Sequence, residues 1–179
     1  PYLAGHSRLM GSLAIEVAKV LNVGDRDIAT VETAANLSQI GKMFVDRKLL
    51  LKAETLTPAE KEELESHVGH AARVLKDIDF GLPVFEAVYQ MNEGLNGRGY
   101  PEKLRNGDIV LPARILGVVN SFCAMVEPRA YRGARGIDEA LDILGSEEDF
   151  YDQRVVRALK EVVHSAVGDK LLMCQKKKG

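Results

Sequence analysis

The sequence has little of what defines several protein classes. Two cysteines, Cys123 and Cys174, stand far apart among 179 residues, too few for a disulfide framework or a thiolate zinc site. No apolar run approaches the roughly 18 residues that span a membrane, and no secretory signal opens the chain. These absences predict a protein of a reducing compartment, the cytoplasm, without membrane insertion.

A strong charge of either sign is also missing. The formal net charge is -2, which argues against broad attraction to nucleic acid. The chain is 46% hydrophobic and 28% charged, as in ordinary globular proteins, and its length suits one domain with a real core. Because it begins at Pro1, already inside a helical pattern, we expect a fragment of a longer protein.

Helical periodicity runs through nearly all of the sequence and predicts an all-α fold of about seven helices. We place a single domain at 1–170 and a solvated basic tail at 171–179. The segment Thr57-Pro58-Ala59-Glu60 is the clearest helix start, with a cap, a proline at the first helical position and a capping-box glutamate. The predicted helices cover 3–21, 25–41, 57–76, 84–92, a segment from Pro112 onwards, 137–144 and 153–167.

One long segment, 94–110, is predicted to be a loop rich in glycine and asparagine. Loops of this length in compact helical domains are usually functional or disordered. Tyr100 precedes Pro101, which restricts its backbone toward extended conformations and would present the ring at a fixed angle. We therefore treat this loop as a candidate functional element.

Four stretches, in the right order, resemble the HD-GYP family, the bacterial cyclic di-GMP phosphodiesterases within the wider group of HD phosphohydrolases. They are AANLSQIGK at 34–42, the histidine helix at 66–75, GRGYP at 97–101 with LPARIL at 111–116, and RAYR at 129–132. The resemblance covers roughly residues 3 to 160 and implies a compact helical bundle of the HD-domain type.

In that family two or three iron or manganese ions, bridged by a carboxylate and held by imidazoles, generate the attacking hydroxide. The resemblance carries the family's first-helix and third-helix histidines onto His6 and His67. The other ligand positions fall on Ser38 and Gln39 (a His-Asp pair), Met91 and Asn92 (two histidines), Asn120 (an aspartate) and Tyr2 (a glutamate in some members). We therefore expect no cofactor, with a weak metal site on His6 and His67 as the remaining alternative, since catalytic zinc sites usually need three protein ligands.

Several residues near the same site match positions of the family that contact phosphate, nucleotide or partner. Guanidinium and ammonium groups suit a dianionic dinucleotide, so binding without hydrolysis is chemically possible. Glu93 is expected to support the site rather than bridge metals, and Arg114 is equally well interpreted as a helix-start arginine in an ion pair. The candidate contacts are Lys42, Glu93, Arg98, Tyr100, Arg114, Arg129 and Arg132.

These features predict a catalytically silent HD-GYP-like signalling domain. It would contact another signalling protein, for example a diguanylate cyclase domain as the resemblance implies, or bind cyclic di-GMP without hydrolysing it. One alternative is a metal-dependent phosphohydrolase with a single metal on His6, His67, Glu93 and water. Another is a structural module that forms a homodimer.

Overall fold

The structure of the protein, a computed structural model, describes residues 2–52, 54–127 and 133–176, and all of their side chains except those of 2–4 and 175–176. Within these ranges the regular structure is entirely helical, so the predicted all-α fold is confirmed. The α-helices are α1 Tyr2–Val20, α2 Asp25–Leu37, α3 Arg47–Leu50, α4 Pro58–Glu65, α5 His67–Leu75, α6 Val84–Gln90, α7 Leu111–Val126, α8 Ile137–Ser146, α9 Gln153–Val163 and α10 Ala166–Lys176; two 3₁₀ helices cover Ile40–Phe44 and Asn106–Asp108.

The helices outnumber the seven predicted because two of the predicted ones are divided and because α3, α10 and the second 3₁₀ helix are additional elements. The segment 57–76 becomes α4 and α5, separated at Ser66, whose hydroxyl donates a hydrogen bond to the Glu63 carbonyl oxygen at 2.6 Å. Ser66 keeps helical dihedral angles (φ -58°, ψ -18°), so the chain direction changes little there. The segment 25–41 ends as an α-helix at Leu37 and continues as the first 3₁₀ helix.

The capping signals at 57–60 are confirmed at atomic level. The Thr57 hydroxyl accepts a hydrogen bond from the Glu60 backbone nitrogen at 3.3 Å, and the Glu60 carboxylate accepts one from the Thr57 nitrogen at 2.8 Å. Pro58 occupies the first turn, where its missing N–H costs nothing.

The prediction of a solvated tail at 171–179 is wrong for residues 171–176. Residues 171–176 continue α10, and Leu172 is only 9% exposed because α10 packs against α1 and α9. The final residues, 177–179, lie outside the described part of the chain. No described helix is both long enough and apolar enough to cross a bilayer.

The core forms around α7, which packs against α1, α2, α6, α8 and α9. Its buried face includes Ile115, Leu116, Val119 and Phe122, each with no exposed surface. Helices α1, α2, α5, α6 and α7 carry the residues at the candidate site, so the core fixes how those residues approach one another.

Two glycines permit the closest approaches near these residues. A Cβ at Gly41 would lie 1.9 Å from the His67 carbonyl oxygen, so the first 3₁₀ helix sits directly on α5. A Cβ at Gly117 would lie 2.6 Å from the Met91 carbonyl oxygen, which brings α7 against the end of α6. Any side chain at either position would push the two elements apart.

The burial of Met10 and the exposure of Met173 predict different losses of stability when each is replaced by alanine. Met10→Ala should lower the free energy of unfolding by about 2–5 kcal/mol, because it removes a fully buried side chain and leaves a cavity. Met173→Ala, at a position 63% exposed, is the matched control and should stay within about 0.5 kcal/mol of wild type. Urea unfolding measures both, and equal losses in the two variants would contradict this description of the core.

Candidate functional site

His6 is held on both sides by protein groups. The side chain is buried in α1, its Nδ1 lies 2.5 Å from Glu127 Oε2, and its Nε2 lies 2.9 Å from Asn120 Oδ1. Both ring nitrogens therefore face an oxygen acceptor, a carboxylate at Nδ1 and an amide at Nε2. A metal ion at Nε2 would first have to displace Asn120.

The Ser38–Gln39 pair lies buried just after α2 and is bonded internally. Ser38 Oγ donates to the Ala35 carbonyl oxygen at 2.8 Å, and Gln39 Nε2 donates to Ser38 Oγ at 3.2 Å. Gln39 Oε1 is buried and has no hydrogen-bond partner in the described structure. The pair therefore supplies neutral oxygens, which are poor substitutes for imidazole and carboxylate on iron or manganese.

His67, at the start of α5, keeps one nitrogen available to a ligand. Its Nδ1 donates to the Leu64 carbonyl oxygen at 2.7 Å, which leaves Nε2 as the acceptor in the neutral ring. Burial lowers the pKa of His67, the positive charges of Lys42 and His70 lower it further, and the bond to Leu64 opposes them. The ring is therefore neutral at neutral pH.

Met91, Asn92 and Asn120 offer no carboxylate or imidazole. Met91 is 5% exposed and belongs to the hydrophobic core, while Asn92 is half-buried and its carbonyl oxygen accepts a bond from the Tyr100 nitrogen at 3.2 Å. Asn120 is the partner of His6 described above. At these three positions the side chains and backbone serve packing and hydrogen bonding.

Glu93 organises the loop 94–110. Its buried carboxylate accepts hydrogen bonds from the backbone nitrogens of Glu102 (2.6 Å) and Leu104 (3.1 Å). These two bonds tie the backbone of the loop to the Glu93 carboxylate. The single-metal alternative would require the same carboxylate to leave one or both of these donors.

Tyr100 stands beside His67 at the edge of this loop. The two rings are nearly perpendicular, at 80°, with centroids 6.4 Å apart. Burial raises the pKa of Tyr100 to about 12, and the charge of Glu65 acts in the same direction, so the phenol stays neutral. The Tyr100–Pro101 peptide bond is cis, and a Cβ at Gly99 would lie 2.4 Å from the Glu93 Cα, so the loop backbone packs tightly on the end of α6.

The candidate arginines divide into those with described partners and those outside the described residues. Arg114 donates to the carbonyl oxygens of Asn106 and Ile109, each at 2.8 Å, and contacts Asp152 Oδ2 at 3.4 Å. This is the ion-pair alternative, extended by two bonds that hold the loop. Arg98 is exposed and pairs with Asp149 at 3.0 Å. Arg129 and Arg132 lie outside the described residues.

Sequence reasoning missed Glu127, the carboxylate that binds His6. It follows Asn120 by seven residues, two helical turns, so the two side chains share a face of α7 and its end. That spacing was the available signal. In the described residues no three His, Cys, Asp or Glu side chains are grouped to hold a metal ion.

Comparison with known proteins identifies the family. The HD domain profile matches residues 1–155, and the chain belongs to the HD domain family. The 3'3'-cGAMP-specific phosphodiesterase 3 of Vibrio cholerae is 32% identical over 92% of this chain and 36% of its own length. A cyclic di-GMP phosphodiesterase of Thermotoga maritima is 29% identical over 86% of this chain and 42% of its own length. The chain thus spans well under half of these relatives, whose names support the resemblance to the HD-GYP branch.

Solved structures share the fold. Bd1817, an HDG"Y"P protein from Bdellovibrio bacteriovorus, matches with a TM-score of 0.75 at 19% identity, covering 89% of this chain and 52% of that one. The cyclic GMP-AMP specific phosphodiesterase V-cGAP3 of Vibrio cholerae matches with a TM-score of 0.69 at 16% identity, covering 96% and 46%. At these identities the similarity establishes the HD-domain architecture alone.

The role of Glu93 predicts a loss of stability on neutralisation. Glu93→Gln should lower the free energy of unfolding by about 1.5–3 kcal/mol, because it replaces a charged acceptor of two backbone donors. Hydrogen exchange at the amides of Glu102 and Leu104 should accelerate. The control is Glu86→Gln, an exposed glutamate on α6, the helix that precedes Glu93. Unchanged exchange at both amides would show that Glu93 does not hold the loop.

The neutral state of His67 predicts a pH dependence. Its folded-state pKa lies below the ordinary value of 6.5, so the unfolded chain binds a proton that the folded chain excludes. Stability should therefore fall as pH drops through the ordinary value, and His67→Gln should reduce that slope. Urea unfolding between pH 5 and 8 measures the effect. Near pH 8, His67 is neutral in both the folded and the unfolded chain, so the stability of wild type and of His67→Gln should change with pH in the same way. Identical pH dependence of the two proteins at low pH would refute the lowered pKa of His67.

Proposed function

We propose that this chain is an HD domain that has lost the metal-dependent reaction and acts in bacterial signalling by binding. Its partner is another signalling protein, such as a diguanylate cyclase domain, or cyclic di-GMP held without hydrolysis. The place of action is the cytoplasm. No cofactor takes part in this activity.

The bonding of His6 carries the proposal. A metal ligand must present a lone pair, yet Nε2 of His6 faces Asn120 and Nδ1 faces Glu127. Asn120 stands at the position where the family has an aspartate. Its side chain carries no negative charge for a metal ion, and its amide oxygen already contacts Nε2 of His6. Ser38 and Gln39 add only neutral groups at the position of the bridging carboxylate.

The remaining groups support binding rather than turnover. Lys42 lies close enough to His67 to lower its pKa, which places positive charge beside the buried imidazole. The loop 94–110 is organised by Glu93 and Arg114 and needs no ion for its shape. A surface with a preformed loop and a nearby cation can recognise an anionic ligand or a protein without catalysing a reaction.

A reduced phosphodiesterase is the second candidate, and the relatives favour it. The two named above are phosphodiesterases of 3'3'-cGAMP and cyclic di-GMP. His67 retains an available nitrogen, and a ligand from a part of the chain outside the described residues would complete a minimal site. In this case His67→Ala should abolish hydrolysis.

Metal content and turnover separate the two candidates. Protein purified from cells supplied with iron and manganese should contain substoichiometric metal by plasma mass spectrometry. It should not hydrolyse cyclic di-GMP or 3'3'-cGAMP with either ion. Two tightly bound transition metals per chain, or turnover that His67→Ala removes, would overturn the proposal.

A restored variant provides the positive control. It combines the substitutions Ser38→His, Gln39→Asp, Met91→His, Asn92→His and Asn120→Asp. If lost donors explain the silence, this variant should retain more metal than wild type after dialysis. Circular dichroism confirms that it folds, and Asn120→Asp alone gives a milder change for comparison. A folded restored variant with no gain in metal would contradict the explanation.

A further inference from the structure

Two parts of the chain expose apolar side chains beside charges that have no partner, and the two carry opposite charge. The first surrounds α3. Of the seven large hydrophobic side chains exposed in the described structure, three fall within nine residues there: Met43 (78%), Phe44 (59%) and Leu51 (54%). Apolar side chains exposed this close together commonly mark an interaction surface. The second part is the end of α10.

A groove of about 530 Å³ lies between α3 and α4, within the first of these parts. Leu49 and Leu51 supply its apolar lining, and six charged side chains supply the rest. Two of the six satisfy each other, because Lys52 donates to both carboxylate oxygens of Glu60 at 2.6 Å.

The other four charged side chains leave the groove acidic, since none of them forms an ion pair with a described residue. They are three carboxylates and one cation: Asp46, Glu54, Glu63 and Lys48. Arg47 and Glu62, exposed beside the groove, carry opposite charges and do not change this balance. The carboxylates are not grouped to hold a metal ion within the part of the chain that the structure describes. Their negative charge is spread along the groove, which suits several separate cations better than one ion.

The end of α10 has the opposite character. Met173 is 63% exposed, and Lys170, one turn earlier, is also exposed and has no ion pair with a described residue. The sequence adds the lysines at 176–178, the one run of three adjacent basic residues in the chain, of which 177 and 178 lie outside the described residues. Asp169 is the single acidic residue of the segment 169–178. Four lysines, one aspartate and an exposed methionine thus match three carboxylates, one lysine and two leucines at the groove.

We propose that the groove binds the segment 169–178 of a second copy of the chain. Leu49 and Leu51 bury apolar surface against Met173, and the lysines of the segment lie along the carboxylates of the groove. Within one copy α10 packs against α1 and α9, whereas α4 packs against α3 and α5, so the segment and the groove belong to different parts of the fold. The contact joins two unlike surfaces, and it either closes reciprocally into a dimer or continues into longer assemblies. This inference does not rest on the loss of the metal-dependent reaction.

Charge reversal on either surface tests the contact. The variant Glu54→Lys/Glu63→Lys makes the groove basic, and the variant Lys176→Glu/Lys177→Glu/Lys178→Glu makes the segment acidic. Each variant alone should raise the dissociation constant of self-association by about tenfold or more, because like charges then face each other. Sedimentation equilibrium over a concentration series, at low ionic strength, measures this constant.

A mixture of the two variants gives the decisive result. The acidic groove of one chain meets the lysines of the other, and the reversed groove meets the reversed segment, so the mixture should associate about as strongly as wild type. A chain that carries both reversals should associate with itself for the same reason. The matched control is Glu86→Lys/Asp142→Lys, two exposed carboxylates on α6 and α8, which changes the net charge as much as the groove variant and should leave association unchanged.

Three results would overturn the proposal. A wild-type chain that is monomeric at all concentrations does so and leaves the groove to a basic segment of another protein. Association that is insensitive to both reversals, or a mixture that does not restore it, does so as well. Circular dichroism identifies a variant that fails to fold, and removal of residues 177–179, which should also weaken association, then decides. Metal content should be the same in all these chains, so this result is separable from that of the metal analysis.

Discussion

A buried imidazole held between a carboxylate and an amide joins the first helix to the central one. The bonds from His6 to Asn120 and Glu127 span 114 and 121 residues of sequence, so they fix α1 to α7. Breaking a buried pair of this kind usually costs several kcal/mol, because the remaining group is left without a partner. In this chain the link between the two helices is made by hydrogen bonds between side chains.

The contacts that hold the loop 94–110 do not involve the residues that align with the family's metal ligands. The loop 94–110 is held by Glu93 from the end of α6 and by Arg114 from α7, and Asp152 connects that arginine to the start of α9. None of these contacts passes through the ligand positions Ser38, Gln39 or Met91. The loop can therefore keep its shape whatever side chains stand at those positions, as is general for sites carried on stable folds.

The sequence was sufficient for the helical fold and for most helix starts, because periodicity and capping are local. The sequence did not predict the features that depend on contacts between residues far apart along the chain. The α10 helix appeared to be tail, since its stability comes from packing on α1 and α9 and not from a strong local pattern. Arg114 could be assigned to phosphate or to an ion pair with equal reason, and the sequence gives no sign of its contacts with Asp152 and with the carbonyl oxygens of Asn106 and Ile109. The partner of His6 was missed because the bond spans 121 residues and the spacing of Glu127 from Asn120 was its single local signal.

Gly41 and Gly99 bear on how signatures of this family are used to infer activity. Each fits where a single added carbon would collide with backbone, at 1.9 Å from the His67 carbonyl oxygen and 2.4 Å from the Glu93 Cα. Both glycines belong to the stretches by which the family is recognised, yet the helices demand them whether or not any phosphodiester is cleaved. A genome search that scores such glycines therefore detects the fold and does not by itself detect turnover. The ionisable side chains between them are the better diagnostic.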